Sequence, residues 1–338
     1  MSGFRLCLAS VGLSASLFAT VATAEPVKLI VASLSAGEST LATKFYAAWS
    51  ARVQEQSQGT LDMDVRHGYA IASLNNSLDR LRNDVVQVTS VFPASFPGSY
   101  PLFEVGGLPF MTQKGEIGGL AMWRLVKSGL LDNELKDVHV IATGTFGYSG
   151  IHFAKAPQTL DNLQGLKIAT ASRIQSEMLS LLGAAPGAMT PMDAYPALQR
   201  STFDAVMTSW AGVLAFKLDE VTNTHLEAPL GTTAVMIAMM RKRYDQLPEA
   251  GRKAIDANTG ETWSRVVGRD SIDAEIDRGR AQATAKGQKL VELTSTQLAT
   301  WKERTKPVIE SWLKERPNSG EKVLEAFRKY VAEVQAAR

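Results

Sequence analysis

Residues 160–183 read LDNLQGLKIATASRIQSEMLSLLG, and this stretch contains one complete strand–helix unit. Leu166–Ala171 is a short, largely apolar run of the length typical of a buried strand. Ile174–Leu182 then follows a helical pattern, which Gly183 ends. A strand followed at once by a helix is the building block of α/β folds.

The same alternation extends in both directions from this unit. Val27–Val31 and Leu61–Val65 read as strands, and between them Glu38–Gln56 carries an apolar residue at every fourth position, as an amphipathic helix does. Further strands are predicted at Val85–Val91, Val138–Ala142, Phe203–Thr208 and Leu290–Leu293. The sequence therefore predicts an α/β fold with mixed, mainly parallel sheets flanked by helices.

Two apolar segments, Gly150–Ala154 and Ala234–Met240, are predicted to be strands at which the chain crosses between two lobes. Lobe I is expected over residues 25–148 and about 233–268, and lobe II over 149–232 and about 269–338. A chain of this length is expected to form two cores rather than one. Two crossing strands let the lobes hinge over a cleft, where ligands of open α/β sheets bind beyond the carboxyl ends of strands.

The first 24 residues have the pattern of an export signal. Arg5 precedes an apolar run from Leu6 to Ala19, and Ala22-Thr23-Ala24 forms a small-residue cleavage site. Cleavage after Ala24 is expected, with the mature protein in the periplasm. An uncleaved anchor and a lipoprotein are the alternatives, although the only cysteine, Cys7, lies at the front of the apolar run.

The composition narrows the function classes. Without residues 1–24 the chain has no cysteine, and its 35 lysines and arginines nearly balance 34 acidic residues, which argues against a nucleic-acid partner. The four histidines have no second ligand at metal-binding spacing, and no nucleophile elbow or phosphate-binding loop is present. We therefore expect no metal, no cofactor and no enzymatic activity.

Three stretches together carry a resemblance to a known family. They are Leu78–Val88 followed by Phe92-Pro93 and FEVGGLPF at 103–110; LDNLQGLKI at 160–168; and LGAAP at 182–186 followed by MDAYPALQR at 192–200 and Phe203-Asp204. YDQLP at 244–248 is a fourth, shorter match. In this order and spacing, over roughly residues 27–315, they resemble the DctP-like substrate-binding proteins of TRAP (tripartite ATP-independent periplasmic) transporters.

The resemblance implies a two-lobed periplasmic binding protein-like fold, the capture of a small organic solute by hinge closure, and delivery to a small and a large membrane permease subunit. A monomer is expected. Closure in such a protein is a population shift, which the ligand drives by contacting both lobes better in the closed state. An organic acid is the ligand that the family implies.

The family's L-K-I-R motif departs from its pattern here. Its arginine clamps a ligand carboxylate through two parallel hydrogen bonds, and this chain has Ala169 at that position. Arg173, four residues on, is either a relocated clamp or a solvated surface residue, and in the second case the ligand is neutral, cationic or held by other donors. Asp84, Ser201 and Ala205 stand where the family has turn glycines, and of these alanine tolerates a left-handed conformation poorly.

Further residues are candidates to line the cleft: Ser35, Tyr69, Phe92, Tyr100, Tyr148, His152 and Trp210. Ser35 and Tyr69 follow the first two predicted strands. Phe92 and Tyr100 lie in a proline- and aromatic-rich loop at 92–110, and Trp210 follows the strand at 203–208. Tyr148 and His152 border the first crossing. Each also has a plainer interpretation, as lobe packing, a loop residue or a satisfied interior histidine.

Three other functions remain open alternatives. A receptor for an ATP-driven importer has a similar two-lobe plan, although the LPF and LKI motifs argue against it. A sensory ligand-binding protein would use the same cleft with another downstream partner. An exported enzyme would need an acid–base pair or a nucleophile in that cleft.

Overall fold

The structure is a computed structural model that describes residues 25–338, so the predicted signal peptide lies outside the described residues. The described part contains eleven strands. They are β1 (Val27–Ser33), β2 (Leu61–His67), β3 (Val88–Val91), β4 (Val138–Thr145), β5 (Gly150–Phe153), β6 (Lys167–Thr170), β7 (Ala185–Ala188), β8 (Ala205–Thr208), β9 (Thr224–Glu227), β10 (Ala234–Met240) and β11 (Lys289–Glu292).

The helices are α1 (Ala48–Gln56), α2 (Ser77–Arg82), α3 (Gly115–Lys127), α4 (Asp132–Leu135), α5 (Arg173–Leu181), α6 (Pro191–Gln199), α7 (Trp210–Ala215), α8 (Arg241–Asp245), α9 (Glu249–Ala257), α10 (Glu261–Arg265), α11 (Ala274–Ala285), α12 (Ser295–Lys314) and α13 (Gly320–Ala336). π-helical segments at Leu41–Ala47 and Val266–Asp273 run directly into α1 and α11. No helix between residues 25 and 338 has the length and apolar character needed to cross a membrane.

The strands form two sheets, which we call the sheets of lobe I and lobe II. The first has the order β2-β1-β3-β10-β4, and the second β11-β9-β5-β8-β6-β7. In each sheet one strand runs antiparallel to both of its neighbours: β10 in lobe I and β5 in lobe II. These are the two predicted crossing strands, and the mixed sheets flanked by helices confirm the predicted α/β class.

The core of lobe I follows from the amphipathic helix after β1. Leu29 and Val31 are fully buried on one face of the sheet, and Phe45 and Trp49 of the helix are buried in the same cluster. The two rings stack at 6.2 Å, and the Trp49 indole N–H donates to the Asn258 carbonyl at 2.7 Å. The predicted apolar stripe is therefore the face that packs on the sheet.

The sheet of lobe II is covered on both faces. Ile168 lies in one buried cluster with α12, and the adjacent Ala169 lies in the other with Trp210 and α11. Successive strand residues point to opposite faces, so a covered sheet needs apolar side chains at consecutive positions. This explains the unbroken apolar run that the sequence shows here.

The region from residue 249 to 285 is a third connection between the lobes. The sequence pattern predicts one long helix, but the chain breaks at Asn258–Gly260, where Gly260 has a φ of 120°. At one end the Ser264 hydroxyl accepts from the Thr143 N–H of lobe I at 3.0 Å. At the other end Gly279 packs against Trp210 of lobe II.

Several local predictions need correction. β7 and β9 are strands that the sequence pattern did not predict, and α6 begins at Pro191 rather than after Asp193. Asp84 and Ser201 do have a φ of 54°, whereas Ala205 lies within β8 and needs no left-handed conformation.

The last helix, which the sequence pattern groups with lobe II, packs against α3 of lobe I. Arg124 of α3 pairs with Glu333 at 3.3 Å, and Arg338 pairs with Glu116 at 2.8 Å. The apolar face of α13 is buried along its length, at Val323, Leu324, Phe327, Val331 and Val334. The division of the whole chain into lobes remains a prediction.

Candidate ligand-binding cleft

Two chain segments join the sheets, and both lie at the end of each sheet where the parallel strands have their carboxyl termini. The first crossing leads from the carboxyl end of β4 to the start of β5, and the second leads from the carboxyl end of β9 to the start of β10. The crossings contact each other, since the Ser149 N–H donates to the Gly231 carbonyl at 2.8 Å. The carboxyl ends of the parallel strands of both lobes therefore border the space between them.

Contacts across this space hold the lobes together. Tyr69, which follows β2, stacks on Phe216, which follows α7, with ring centroids 6.2 Å apart. From the other side Arg316, which follows α12, donates to Glu104 at 2.9 Å and to the Pro101 carbonyl at 2.8 Å. Burial raises the pKa of the Glu104 carboxyl, and the Arg316 charge opposes that rise.

A cavity of about 50 Å³ lies between the lobes. Its walls include Pro93, Pro97 and Glu104 from lobe I, Ser172, Arg173 and Ile174 from lobe II, and Thr232–Ala234 from the second crossing. Small-molecule pockets usually measure about 300–1,000 Å³. This cavity is therefore smaller than a typical pocket for a small organic solute. Two larger depressions, of about 940 and 400 Å³, lie outside this cleft, beside Lys28 and beside Phe110.

Glu227, the last residue of β9, is the centre of a polar cluster at the edge of lobe II. Its Oε1 accepts from the Tyr148 hydroxyl at 2.6 Å and from the Trp210 indole N–H at 2.9 Å. The Nε of Arg280 lies 3.2 Å from the same oxygen. Burial and the neighbouring Glu227 carboxylate raise the pKa of Tyr148, so its hydroxyl stays protonated and donates.

Arg173 begins α5, next to the N-cap Ser172, and forms a bidentate ion pair. Its Nη1 and Nη2 donate to the two carboxylate oxygens of Glu315 at 3.1 and 2.8 Å. Its side chain is 56% exposed. Ala169 is fully buried within β6, and its methyl group offers no hydrogen bond to a ligand.

His152 lies inside lobe II with no exposed surface. Its Nδ1 is 2.8 Å from Nδ1 of His225, and its Nε2 is 3.1 Å from the Thr208 carbonyl. Burial, with a smaller contribution from His225, lowers the pKa of His152 to about 3. Two histidines that are far apart in sequence thus meet across β5 and β9.

The other predicted residues have varied surroundings. The Ser35 hydroxyl is 2.9 Å from the Ser33 hydroxyl. The ring centroids of Phe92 and Phe146 are 5.7 Å apart. Tyr100 is 6% exposed and lies within the core of lobe I. Trp210 is 1% exposed and lies behind Glu227. That each of these residues touches a ligand stays a prediction.

Glu227 and Arg280 were not predicted from the sequence. Glu227 lies on a strand whose residues, THLE, give no apolar run, and Arg280 lies in a helix with no motif. The one available signal was the position of Glu227 between the predicted strands at 203–208 and 234–240. Between residues 25 and 338, no group of three or more His, Cys, Asp or Glu side chains is arranged to hold a metal ion.

The family model of the bacterial extracellular solute-binding proteins, family 7 (DctP), matches residues 32–315. The crystal structure of a TRAP solute binding protein from Rhodoferax ferrireducens T118, in complex with copurified benzoate, superposes with a TM-score of 0.84. It is 27% identical, and the match covers 92% of this chain and 100% of that chain.

Two relatives of known sequence are similarly distant. The outer membrane transporter protein TsaT of Comamonas testosteroni is 24% identical over 316 residues, which cover 92% of both chains. The C4-dicarboxylate-binding periplasmic protein DctP of Rhodobacter capsulatus is 24% identical over 269 residues, which cover 75% of this chain and 77% of that protein.

Proposed function

We propose that this chain, which belongs to family 7 of the bacterial extracellular solute-binding proteins, captures a small aromatic carboxylate in the periplasm for uptake by a TRAP-type transporter. The observation that carries this proposal is the family match across both lobes and the cleft between them. The copurified benzoate of the Rhodoferax ferrireducens protein supports the aromatic carboxylate class, since that protein shares the whole fold.

Capture is proposed to work by closure of the hinge. The two crossings and the 249–285 region connect the lobes, while Tyr69 and Phe216 meet across the cleft. Separation of the lobes admits the solute, and contacts with both edges then favour the closed state. The small and large membrane subunits of the transporter are the proposed recipients, and no bond of the solute is made or broken.

Export to the periplasm is proposed to follow cleavage after Ala24. The predicted signal pattern at residues 1–24 supports this cleavage.

A thermal-shift screen tests the proposed function. The mature protein, freed of copurified ligand by unfolding and refolding, is mixed with benzoate, succinate or the uncharged benzamide. A ligand that binds only the folded protein raises its stability by about 2.7 kcal/mol at 100 times its Kd. We expect benzoate to raise the Tm and benzamide to leave it unchanged.

Chromatography of the recovered benzoate is the accompanying control, and it should show no product. A Tm that rises with succinate alone would contradict the aromatic class. A chemically altered benzoate would contradict a binding function without turnover.

A further inference from the structure

A ligand carboxylate is held best by an arginine that presents two parallel N–H donors. The position at which the family places this arginine is Ala169 here. The next candidate, Arg173, has both Nη nitrogens on the Glu315 carboxylate, and Glu315 also accepts from Arg316 at 3.0 Å. A ligand would have to displace Glu315 to reach Arg173.

Arg280 is differently placed. Its Nε lies 3.2 Å from Glu227, and its side chain is 45% exposed. Within the described part of the chain, the atoms Nη1 and Nη2 of Arg280 have no hydrogen-bond partner, whereas those of Arg173 do. The outer end of the guanidinium is therefore free to meet a second carboxylate.

Glu227 forms an ion pair with the inner end of this guanidinium. The Tyr148 hydroxyl and the Trp210 indole N–H both donate to the oxygen that faces Arg280, so the carboxylate cannot turn freely. The helix is held in place as well, because a Cβ on Gly279 would lie 2.7 Å from the Trp210 ring. A guanidinium oriented in advance loses less conformational freedom when it binds.

The pair also lies at the edge that borders the cleft. Leu226 pairs with Ile151, and Gly150 pairs with Thr208, so Glu227 lies beside the start of β5 with Thr208 on the opposite side. Tyr148 belongs to the first crossing. Ala169 faces the same side of the sheet as Trp210, in the same buried cluster.

We propose that Arg280 binds the carboxylate of the ligand through Nη1 and Nη2, in place of the arginine that is missing at position 169. This assignment rests on the proposed function, since it needs a carboxylate ligand. Glu227 offsets the charge of Arg280 in the empty protein and keeps the guanidinium beside the carboxyl end of β9, which borders the cleft.

Isothermal titration with benzoate tests the assignment on Arg280→Lys, Arg280→Gln and the competing candidate Arg173→Ala, with Arg200→Gln at the exposed C-cap of α6 as the matched control. Hydrogen bonds to charged groups contribute about 1.5–3 kcal/mol, which corresponds to a loss of affinity of roughly 10- to 150-fold. We expect a loss of this size in both Arg280 variants and a change of less than about 3-fold in Arg173→Ala and in the control Arg200→Gln. Salt should weaken benzoate binding by the wild type and Arg280→Lys more than by Arg280→Gln.

The unliganded Tm of each variant shows whether it has folded, and the lysine variant keeps the positive charge if the glutamine variant does not fold. Wild-type affinity in the folded Arg280 variants would overturn the assignment and leave the proposed function standing. A loss confined to Arg173→Ala would move the carboxylate site to α5. A wild-type protein that binds no carboxylate would contradict the proposed function, and the assignment with it.

Discussion

At the scale of single residues, Glu227 shows how a buried charge is tolerated at the edge of a sheet. Its side chain is 6% exposed, and two neutral donors and one arginine surround the same oxygen. Buried charges are costly unless they are paired and hydrogen-bonded. Of the groups around Glu227, Arg280 is the one with a largely exposed side chain, so its outer end reaches solvent.

The buried histidines make the stability of the fold depend on pH. Burial lowers the pKa of His152 to about 3 and that of His139 to about 4, and it also lowers the pKa of His225. In the unfolded chain each histidine takes up a proton near pH 6.5. Between these values the unfolded state binds more protons, so the free energy of unfolding falls as the pH falls below about 6.5.

Urea unfolding at pH 7.5, 6.5 and 5.5 measures this slope, which can reach about 1.4 kcal/mol per pH unit for each buried histidine. A His152→Gln variant should have a shallower slope over the same range, while His139 and His225 keep part of it. A wild-type unfolding free energy that is constant or rises from pH 7.5 to 5.5 would contradict buried neutral histidines.

The limits of sequence reasoning are visible at single residues. The position of Arg173 at the start of α5 was predictable from the local pattern, and α5 does begin there. Its partner Glu315 lies 142 residues away at the C-cap of α12, and no local pattern reports such a contact. The same holds for His152 and His225, which read as isolated residues until β5 and β9 pair.

At the scale of elements, the strands with strong apolar patterns were predictable, and those with mixed composition were not. β10 was predicted with the bounds that the structure shows, because all seven of its residues are apolar. β7 contains proline and glycine and is exposed or half-buried. β9 contains threonine, histidine and glutamate, and all four of its residues are buried. The polar side chains of β9 find their hydrogen-bond partners only in the folded protein, so the local sequence does not indicate a buried strand.

The contact between α11 and α7 gives a prediction for Gly279. Helix propensity alone favours alanine over glycine by about 1 kcal/mol. Here the added Cβ would lie 2.7 Å from the Trp210 ring, and overpacking of this kind costs about 1–3 kcal/mol. We expect Gly279→Ala to lower the free energy of unfolding and to weaken benzoate binding, because it displaces the support of Glu227 and Arg280.

Urea unfolding measures the first effect, with Ala281→Gly, at an exposed position of the same helix, as the control for propensity. That control should lose about 1 kcal/mol and keep its affinity for benzoate. A stabilised Gly279→Ala variant would show that the ring and the helix have room to separate.

At the scale of the whole molecule, the two-lobe plan was predictable because the crossing strands stand out as apolar segments. The third connection was only partly predictable, since the long helical pattern hides the break at Gly260. The proposed carboxylate site was the least predictable part. It is assembled from a strand end, a crossing and a distant helix, so its residues become neighbours only when lobe II and the first crossing are folded.

The central claim is that one small aromatic carboxylate binds reversibly between the lobes, and isothermal titration of the ligand-free mature protein with benzoate tests it most directly. We predict one site per chain, a negative heat-capacity change as the cleft closes over the ring, and full recovery of unaltered benzoate. Absence of a saturable heat, or more than one benzoate bound per chain with equal affinity, would contradict the account.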